Sequence, residues 1–165
     1  LKKIGLDRYH HNLETSKKYY KEICTTHSYQ ERLDTIKNAK DIGLDVCSGG
    51  LIGLGEDELD FLDLAFSLKD LNIKSIPVNV LSPVENTPME NLEILKPRVI
   101  TKRLAVLRYI FPKAILRLAG GRMYLQDYEK ICIKNIVNAS ITGDLLTTTG
   151  SNVKKDFDMI ESLGY

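Results

Sequence analysis

Val46-Cys47-Ser48-Gly49-Gly50-Leu51-Ile52-Gly53-Leu54-Gly55-Glu56 is the stretch on which the fold turns. A β-branched and aliphatic lead-in carries one cysteine, breaks into glycines, and ends on a carboxylate ahead of a helical pattern. That order describes a strand running into a βα loop. Glycine takes positive φ without penalty and lets backbone come close to another group. The loop therefore reads as built for close approach of a bound molecule, with the Cys47 thiol pointing into a site.

On both sides of this stretch, strand patterns alternate with helical ones. Residues 28–41 predict a helix. Ser28-Tyr29-Gln30-Glu31 is a capping box, Tyr29, Leu33 and Ile36 follow at helical spacing, and Gly43 ends the element. Residues 44–52 are the strand that carries Cys47. Residues 56–71 predict a second helix, with Leu59, Leu62, Phe66 and Leu68 among its apolar positions. Residues 75–81 read as a strand, in which Pro77 predicts a strand start or a bulge. A third helix covers 97–110, with Ile100, Leu104 and Leu107 on one face. Residues 114–118 are a strand ending in the Gly120-Gly121 break. Residues 123–137 predict a helix and 139–146 a short strand. Residues 152–163 predict a last helix, with Val153, Phe157 and Ile160 on one face and Gly164 as its stop. Residues 6–13 offer one more strand. Such alternation implies βαβ units and a parallel sheet. Four strand–helix units and a fifth at the start fit an open doubly wound sheet. They also fit part of a (β/α)8 barrel, which in full takes about 250 residues.

The 165 residues predict one domain over 1–165. A composition 43% hydrophobic and 27% charged is that of a soluble globular chain. The formal net charge of +1 lacks the basic excess that nucleic-acid or membrane-surface binding favours. No apolar run approaches the roughly 20 residues of a membrane span, and no secretory leader is visible. The three cysteines, Cys24, Cys47 and Cys132, are odd in number and far apart, without a C-x-x-C pair. This argues against a disulfide framework and for a reduced, cytoplasmic setting. The first residue is Leu1, which points to processing or to a piece of a longer protein.

Several polar side chains sit in or just beyond predicted strands: His10, His11, Asn12 and Glu14, then Cys47, Asn79, Arg117, and Thr147 and Thr148. In parallel α/β folds, ligands bind at the carboxyl ends of strands. Each residue also has a plain structural reading. Cys47 alone is a small buried hydrophobe. Arg117 between Leu116 and Leu118 needs acceptors around it, whether from a ligand or from the protein. A buried Asn79 needs partners, which backbone could supply. Adjacent histidines on a strand alternate faces, so at most one of His10 and His11 faces a site. Thr147 and Thr148 could cap the last helix. Cys24 and Cys132 read as structural. The glycine stretch fits neither a Walker A loop nor the dinucleotide fingerprint.

With these residues in view, the chain resembles the biotin synthase family of radical S-adenosylmethionine enzymes. The likeness is carried by His11-Asn12-Leu13-Glu14-Thr15-Ser16, Tyr29-Gln30-Glu31-Arg32-Leu33, Val46-Cys47-Ser48-Gly49-Gly50 and Gly53-Leu54-Gly55-Glu56. It continues through Ile76-Pro77-Val78-Asn79, Asn86-Thr87-Pro88, Arg117-Leu118-Ala119-Gly120-Gly121-Arg122 and Gly143-Asp144-Leu145-Leu146-Thr147-Thr148. The resemblance implies an α/β fold that is the C-terminal part, strands 4–8, of a (β/α)8 TIM-type radical SAM barrel. It implies a parent enzyme in which a 4Fe–4S cluster reduces S-adenosylmethionine to a 5′-deoxyadenosyl radical. That radical abstracts hydrogen from dethiobiotin, and a 2Fe–2S cluster supplies the inserted sulfur.

Carried over position by position, Cys47 and Arg117 match ligands of the 2Fe–2S cluster. Thiolate is the usual ligand to such iron, whereas arginine keeps its proton and rarely binds metal. Asn12, Glu14, Gly49, Leu51, Gly53 and Glu56 match positions around S-adenosylmethionine, with Glu14 standing where the family usually has Asp. Asn12 and Asn79 match groups that bind the ureido ring of dethiobiotin, and Thr147 and Thr148 those that hold its carboxylate tail. His10 departs from the family's usual Asn. A flavodoxin or ferredoxin as electron donor and a homodimer of the full-length parent are also implied.

The family's Cys-x-x-x-Cys-x-x-Cys motif is absent from this chain, as are the other two 2Fe–2S cysteines. The chain thus offers two of four ligands to the second cluster and none to the first. The N-terminal cluster-binding part is expected to be missing and the isolated piece to be inactive. Its end strands would expose unpaired edges, predicting poor solubility or association with another copy or the missing half. Two alternatives stay open: another radical SAM barrel of the hydrogenase-maturation kind, or a truncated, non-catalytic remnant.

Overall fold

The computed structural model describes residues 2–143 and 150–165. Strands β1 (Arg8–His10), β2 (Asp45–Cys47), β3 (Gly50–Ile52), β4 (Ser75–Val80), β5 (Ile115–Leu118) and β6 (Ala139–Ser140) form one sheet in which every pairing is parallel. The order is β1-β2-β4-β5-β6, with β3 also beside β4. β2 and β3 are one strand position interrupted at Ser48-Gly49, so the predicted strand 44–52 exists with a break. Five positions lie side by side in the order in which the chain makes them. A doubly wound sheet would reverse that order at a switch point. Right-handed crossovers between sequential parallel strands place every helix on the same face, which is the arrangement of a barrel arc.

The helices are α1 (Tyr20–Ile23), α2 (Tyr29–Asp41), α3 (Glu58–Asp70), α4 (Pro97–Ile110), α5 (Tyr128–Asn135) and α6 (Val153–Ser162). α2 begins at the predicted capping box, the Ser28 hydroxyl accepting from the Glu31 amide and the Glu31 carboxylate from the Ser28 amide. α3 has a second box from Asp57 and Asp60. α4 opens on Pro97, whose fixed φ suits the first helical position, and buries Ile100, Leu104 and Leu107 as expected. The core lies between helices and sheet. Val46, Ile52, Ile76, Val78, Val80, Leu116 and Leu118 come from strands, and meet residues such as Ile36, Phe61, Leu68, Ile100 and Leu104.

Some expectations change. α3 buries Phe61, Leu64, Ala65 and Leu68 and leaves Leu59 74% exposed. The buried set follows i, i+3, i+4, i+7 spacing, whereas Leu59 and Phe66 fall off it. Residues 123–137 are not one helix. A 3-10 turn, Arg122–Leu125, is separated from α5 at Gln126, whose φ is 49°. β6 forms the start of the predicted strand 139–146, of which residues 144–146 lie outside the described residues. α6 forms, but Phe157 is 62% exposed, and its buried residue is Asp156. That carboxylate accepts from Arg122 Nη1 at 3.0 Å and from the Ser151 hydroxyl at 2.5 Å. Arg122 also pairs with Glu129 and donates to Ser140 Oγ at 2.8 Å. A buried arginine needs several acceptors, and satisfying it from α5, α6 and β6 sets how α6 sits.

Pro77 lies third in the central strand rather than at its start. The Val80 amide donates toward the β5 side, to Gly120 O. Alternation along a strand then turns the Pro77 nitrogen to the opposite side, where the neighbouring strand is interrupted at Ser48-Gly49. The missing donor of proline therefore faces the one gap in the ladder.

Candidate functional site

Side chains alternate across a strand. Val46, Ile76, Val78, Val80, Leu116 and Leu118 point to the helices, so Cys47, Ser75, Pro77, Asn79 and Arg117 point to the other face. His10, in register with Cys47, joins them. That face would be the interior of a closed barrel.

Across it, Cys47 and Arg117 come together although 70 residues separate them in sequence. Arg117 Nη1 is 3.5 Å from Cys47 Sγ. Ser75 Oγ is 3.4 Å from the same sulfur and accepts from Arg117 Nη2 at 3.4 Å. The register makes this possible: Cys47 is level with Ser75, and Arg117 with Pro77, on adjacent strands. Cys47 is 3% exposed. Burial pushes its thiol up, but hydrogen bonds from His10 and Ser75 and positive charge on His10 and Arg117 outweigh burial and hold it below the usual range. The hydrogen bond with Cys47 raises His10 against the opposing effect of burial.

Asn12 and Asn79 are brought to either side of the Gly49-Gly50 break. Asn12 Oδ1 accepts from the Gly49 amide at 3.0 Å, and its Nδ2 donates to Glu14 Oε2 at 3.4 Å. Asn79 Oδ1 accepts from the Gly120 amide at 3.0 Å, and its Nδ2 donates to Gly50 O at 3.4 Å. Backbone thus supplies partners to both amides. Glu14 has φ 71°, a left-handed conformation unusual outside glycine. Burial pushes its carboxyl up, and the nearby Arg32 opposes that. Arg32 Nη1 also donates to Asn12 O at 3.0 Å.

At the break, the chain's own backbone stands against both adjacent glycines. A Cβ on Gly49 would lie 1.9 Å from Pro77 O, and one on Gly50 would lie 2.5 Å from Glu14 O. The close approach there is of the chain's own backbone, because neighbouring strands press into the break. Gly53 donates to Glu56 Oε1 at 2.9 Å. Glu56 also pairs with buried Arg103, so one carboxylate oxygen is committed to the βα loop and α4. Leu51 is level with Asn79 on the site face. Thr147 and Thr148 lie outside the described residues.

Ser75, Arg32 and Arg103 were not singled out by sequence reasoning. A small polar residue opening an apolar strand is a weak signal for Ser75. Arg103 was more legible, since it occupies the face shared by Ile100, Leu104 and Leu107. Of the other cysteines, Cys132 is fully buried. Cys24 is partly exposed, and hydrogen bonds from Thr26 and the His27 backbone lower its thiol to about 6. Among the described residues, no group of three or more His, Cys, Asp or Glu is placed to share a metal. No helix among them is long and apolar enough to cross a membrane.

Residues 77–165 match the Biotin and Thiamin Synthesis associated domain. The chain belongs to this family. Residues 1–68 match the Radical SAM superfamily. A biotin synthase of Clostridium perfringens is 55% identical over 164 residues, covering 99% of this chain and 51% of the relative. One from Clostridium botulinum is 52% identical over 165 residues, covering 100% and 52%. One from Clostridioides difficile is 48% identical over 165 residues, covering 100% and 51%. The chain spans about half the length of the curated relatives it matches. The crystal structure of methylornithine synthase superposes with a TM-score of 0.77 at 20% identity, over 98% of this chain and 51% of that one. The five-position arc is thus part of a radical SAM (β/α)8 barrel, as the resemblance implied. The hydrogenase-maturation alternative finds no counterpart among these relatives.

Proposed function

We propose that this chain is the C-terminal portion of a biotin synthase, whose full-length form inserts sulfur into dethiobiotin by radical S-adenosylmethionine chemistry. The observation that carries the reading is the 3.5 Å separation of Cys47 Sγ and Arg117 Nη1 on the helix-free face. A sulfur and a nitrogen donor bound tetrahedrally to one metal, at about 2.3 and 2.1 Å, lie about 3.6 Å apart. The pair therefore fits two donors to one small centre, here a 2Fe–2S cluster. A thiol already drawn toward its thiolate form suits iron ligation. When bound, that cluster supplies the inserted sulfur.

The remaining residues of the face bind and orient. Asn12 and Asn79 would offer the unused capacity of their amides to the ureido ring, each steadied by a backbone partner. Glu14, with Arg32 beside it, would accept from the ribose hydroxyls of S-adenosylmethionine. Gly49, Gly53 and Glu56 shape the loop along which the cofactor would lie, with Leu51 against its adenine. Thr147 and Thr148 would hold the carboxylate tail. Ligands to the 4Fe–4S cluster are assigned to chain outside this sequence. A flavodoxin or ferredoxin donor, a homodimer and a cytoplasmic setting complete the proposal. Three free thiols support the last.

The test is the full-length protein carrying Cys47→Ala. It should lose the 2Fe–2S absorbance, and unchanged absorbance removes Cys47 from the ligand set. Reading the DNA upstream of the Leu1 codon should reveal an in-frame Cys-x-x-x-Cys-x-x-Cys. A stop codon there favours the remnant instead.

A further inference from the structure

His10 belongs neither to the donor pair nor to the amide clamp. It is nevertheless the direct neighbour of Cys47 across β1 and β2. Parallel strands lie about 4.8 Å apart, so an imidazole reaches the thiol of its in-register partner without any backbone movement. Of the two, His10 is exposed on the site face and Cys47 is buried. Arg117 Nη1 at 3.5 Å and Ser75 Oγ at 3.4 Å converge on that sulfur, and His10 stands level with it on the next strand. Ser75 and Arg117 are also bonded to each other. His10 comes from the opposite side, from the strand that flanks β2 away from β4. An imidazole on that flank is placed to set the direction of the sulfur from the side that Ser75 and Arg117 leave open.

We propose that His10 is a positioning residue for the iron–sulfur centre: its ring N–H donates to the Cys47 sulfur, aims that sulfur toward Arg117, and raises the reduction potential of the cluster. This rests on the reading that Cys47 and Arg117 hold a 2Fe–2S cluster. Reduction puts negative charge onto iron and its sulfurs, so a donor on a sulfur favours the reduced state. Hydrogen bonds to cluster sulfurs are among the determinants of such potentials.

The test is a reductive titration of the reconstituted full-length protein, followed by the sulfur-to-iron absorbance. His10→Phe keeps a ring and removes the donor, whereas His10→Gln keeps an N–H. At the ambient potential that leaves the unsubstituted protein half reduced, the Phe variant should show a reduced-to-oxidised ratio about tenfold lower, ~59 mV for one electron. The Gln variant should stay near the unsubstituted protein. A Phe variant that loads no cluster while Gln loads normally supports the same role. Equal behaviour of the two variants, whether both unchanged, both shifted or both without cluster, overturns it. An unsubstituted protein that shows no 2Fe–2S absorbance removes the underlying reading, and this is seen before any His10 variant is measured.

Discussion

Replacing Gly49 by alanine should destabilise the fold severely, and the structure says by how much. The added Cβ would stand 1.9 Å from Pro77 O, 2.9 Å from Pro77 C and 3.0 Å from Pro77 Cδ. Two of these atoms are backbone of the central strand β4, so no rotamer change relieves the overlap, and the strands must part. Overpacking of this kind costs about 1–3 kcal/mol and occasionally more. Parting the strands also strains the bond from the Gly49 amide to Asn12 Oδ1, a further ~1 kcal/mol. Against this, alanine lowers the entropy of the unfolded chain by about 0.4–1 kcal/mol. The net loss is ~3 kcal/mol, a large share of the 5–15 kcal/mol typical of a domain. Urea denaturation reads it directly. With a slope of about 2 kcal/mol per molar, the midpoint should fall by about 1.5 M. Gly43→Ala is the control: nothing lies within 4 Å of its Cβ, and only the positive φ of 80° is strained, for a loss of about 1 kcal/mol. A Gly49→Ala protein within 1 kcal/mol of the original would refute the packing argument.

Other outcomes follow from the same geometry. The Asp156 carboxyl is held at about 2, where burial raises it but Arg122, Ser151 and Thr142 lower it further. A depressed carboxyl contributes stability above its unfolded pKa and loses it as pH falls toward 2. Asp156→Asn should therefore cost roughly 2 kcal/mol at neutral pH, and flatten the stability profile between about pH 4 and 2, as measured by denaturant midpoints across that range. Cys24 should be alkylated first by iodoacetamide at pH 7, ahead of buried Cys47 and Cys132, because its thiol lies near 6. Peptide mapping that finds Cys132 labelled first would contradict this. Leu116, fully buried in β5, should cost about 2–5 kcal/mol on truncation to alanine, read by thermal or urea unfolding. A loss below 1 kcal/mol would mean that the sheet repacks freely there.

Much of this site is legible in the amino-acid order. Cys47, Asn79 and Arg117 each interrupt an apolar strand with a polar group, and period-2 alternation sets each opposite the apolar residues beside it. What could not be read was their level. Cys47 meets Arg117 because Cys47 is level with Ser75 on β4 and Arg117 is level with Pro77, two residues further along that strand. Register between strands tens of residues apart is not encoded in either strand alone. Gly49 shows the same limit. Its type was legible as a place where something comes close, but whether a ligand or a neighbouring carbonyl does so depended on the partner strand. Arg103 and Glu56, 47 residues apart, find each other only where the βα loop packs against α4.

The amino-acid order alone determined that α2 starts at its capping box and α4 at Pro97, and which residues alternate along each strand. Those features rest on interactions within a few residues: caps, turn conformations and side-chain period. Tertiary structure alone decided that α6 sits through Asp156 rather than Phe157, and that the strand carrying Cys47 breaks opposite Pro77. Each of these is set by steric fit and charge pairing between distant segments, which take a definite value only once the chain has closed on itself.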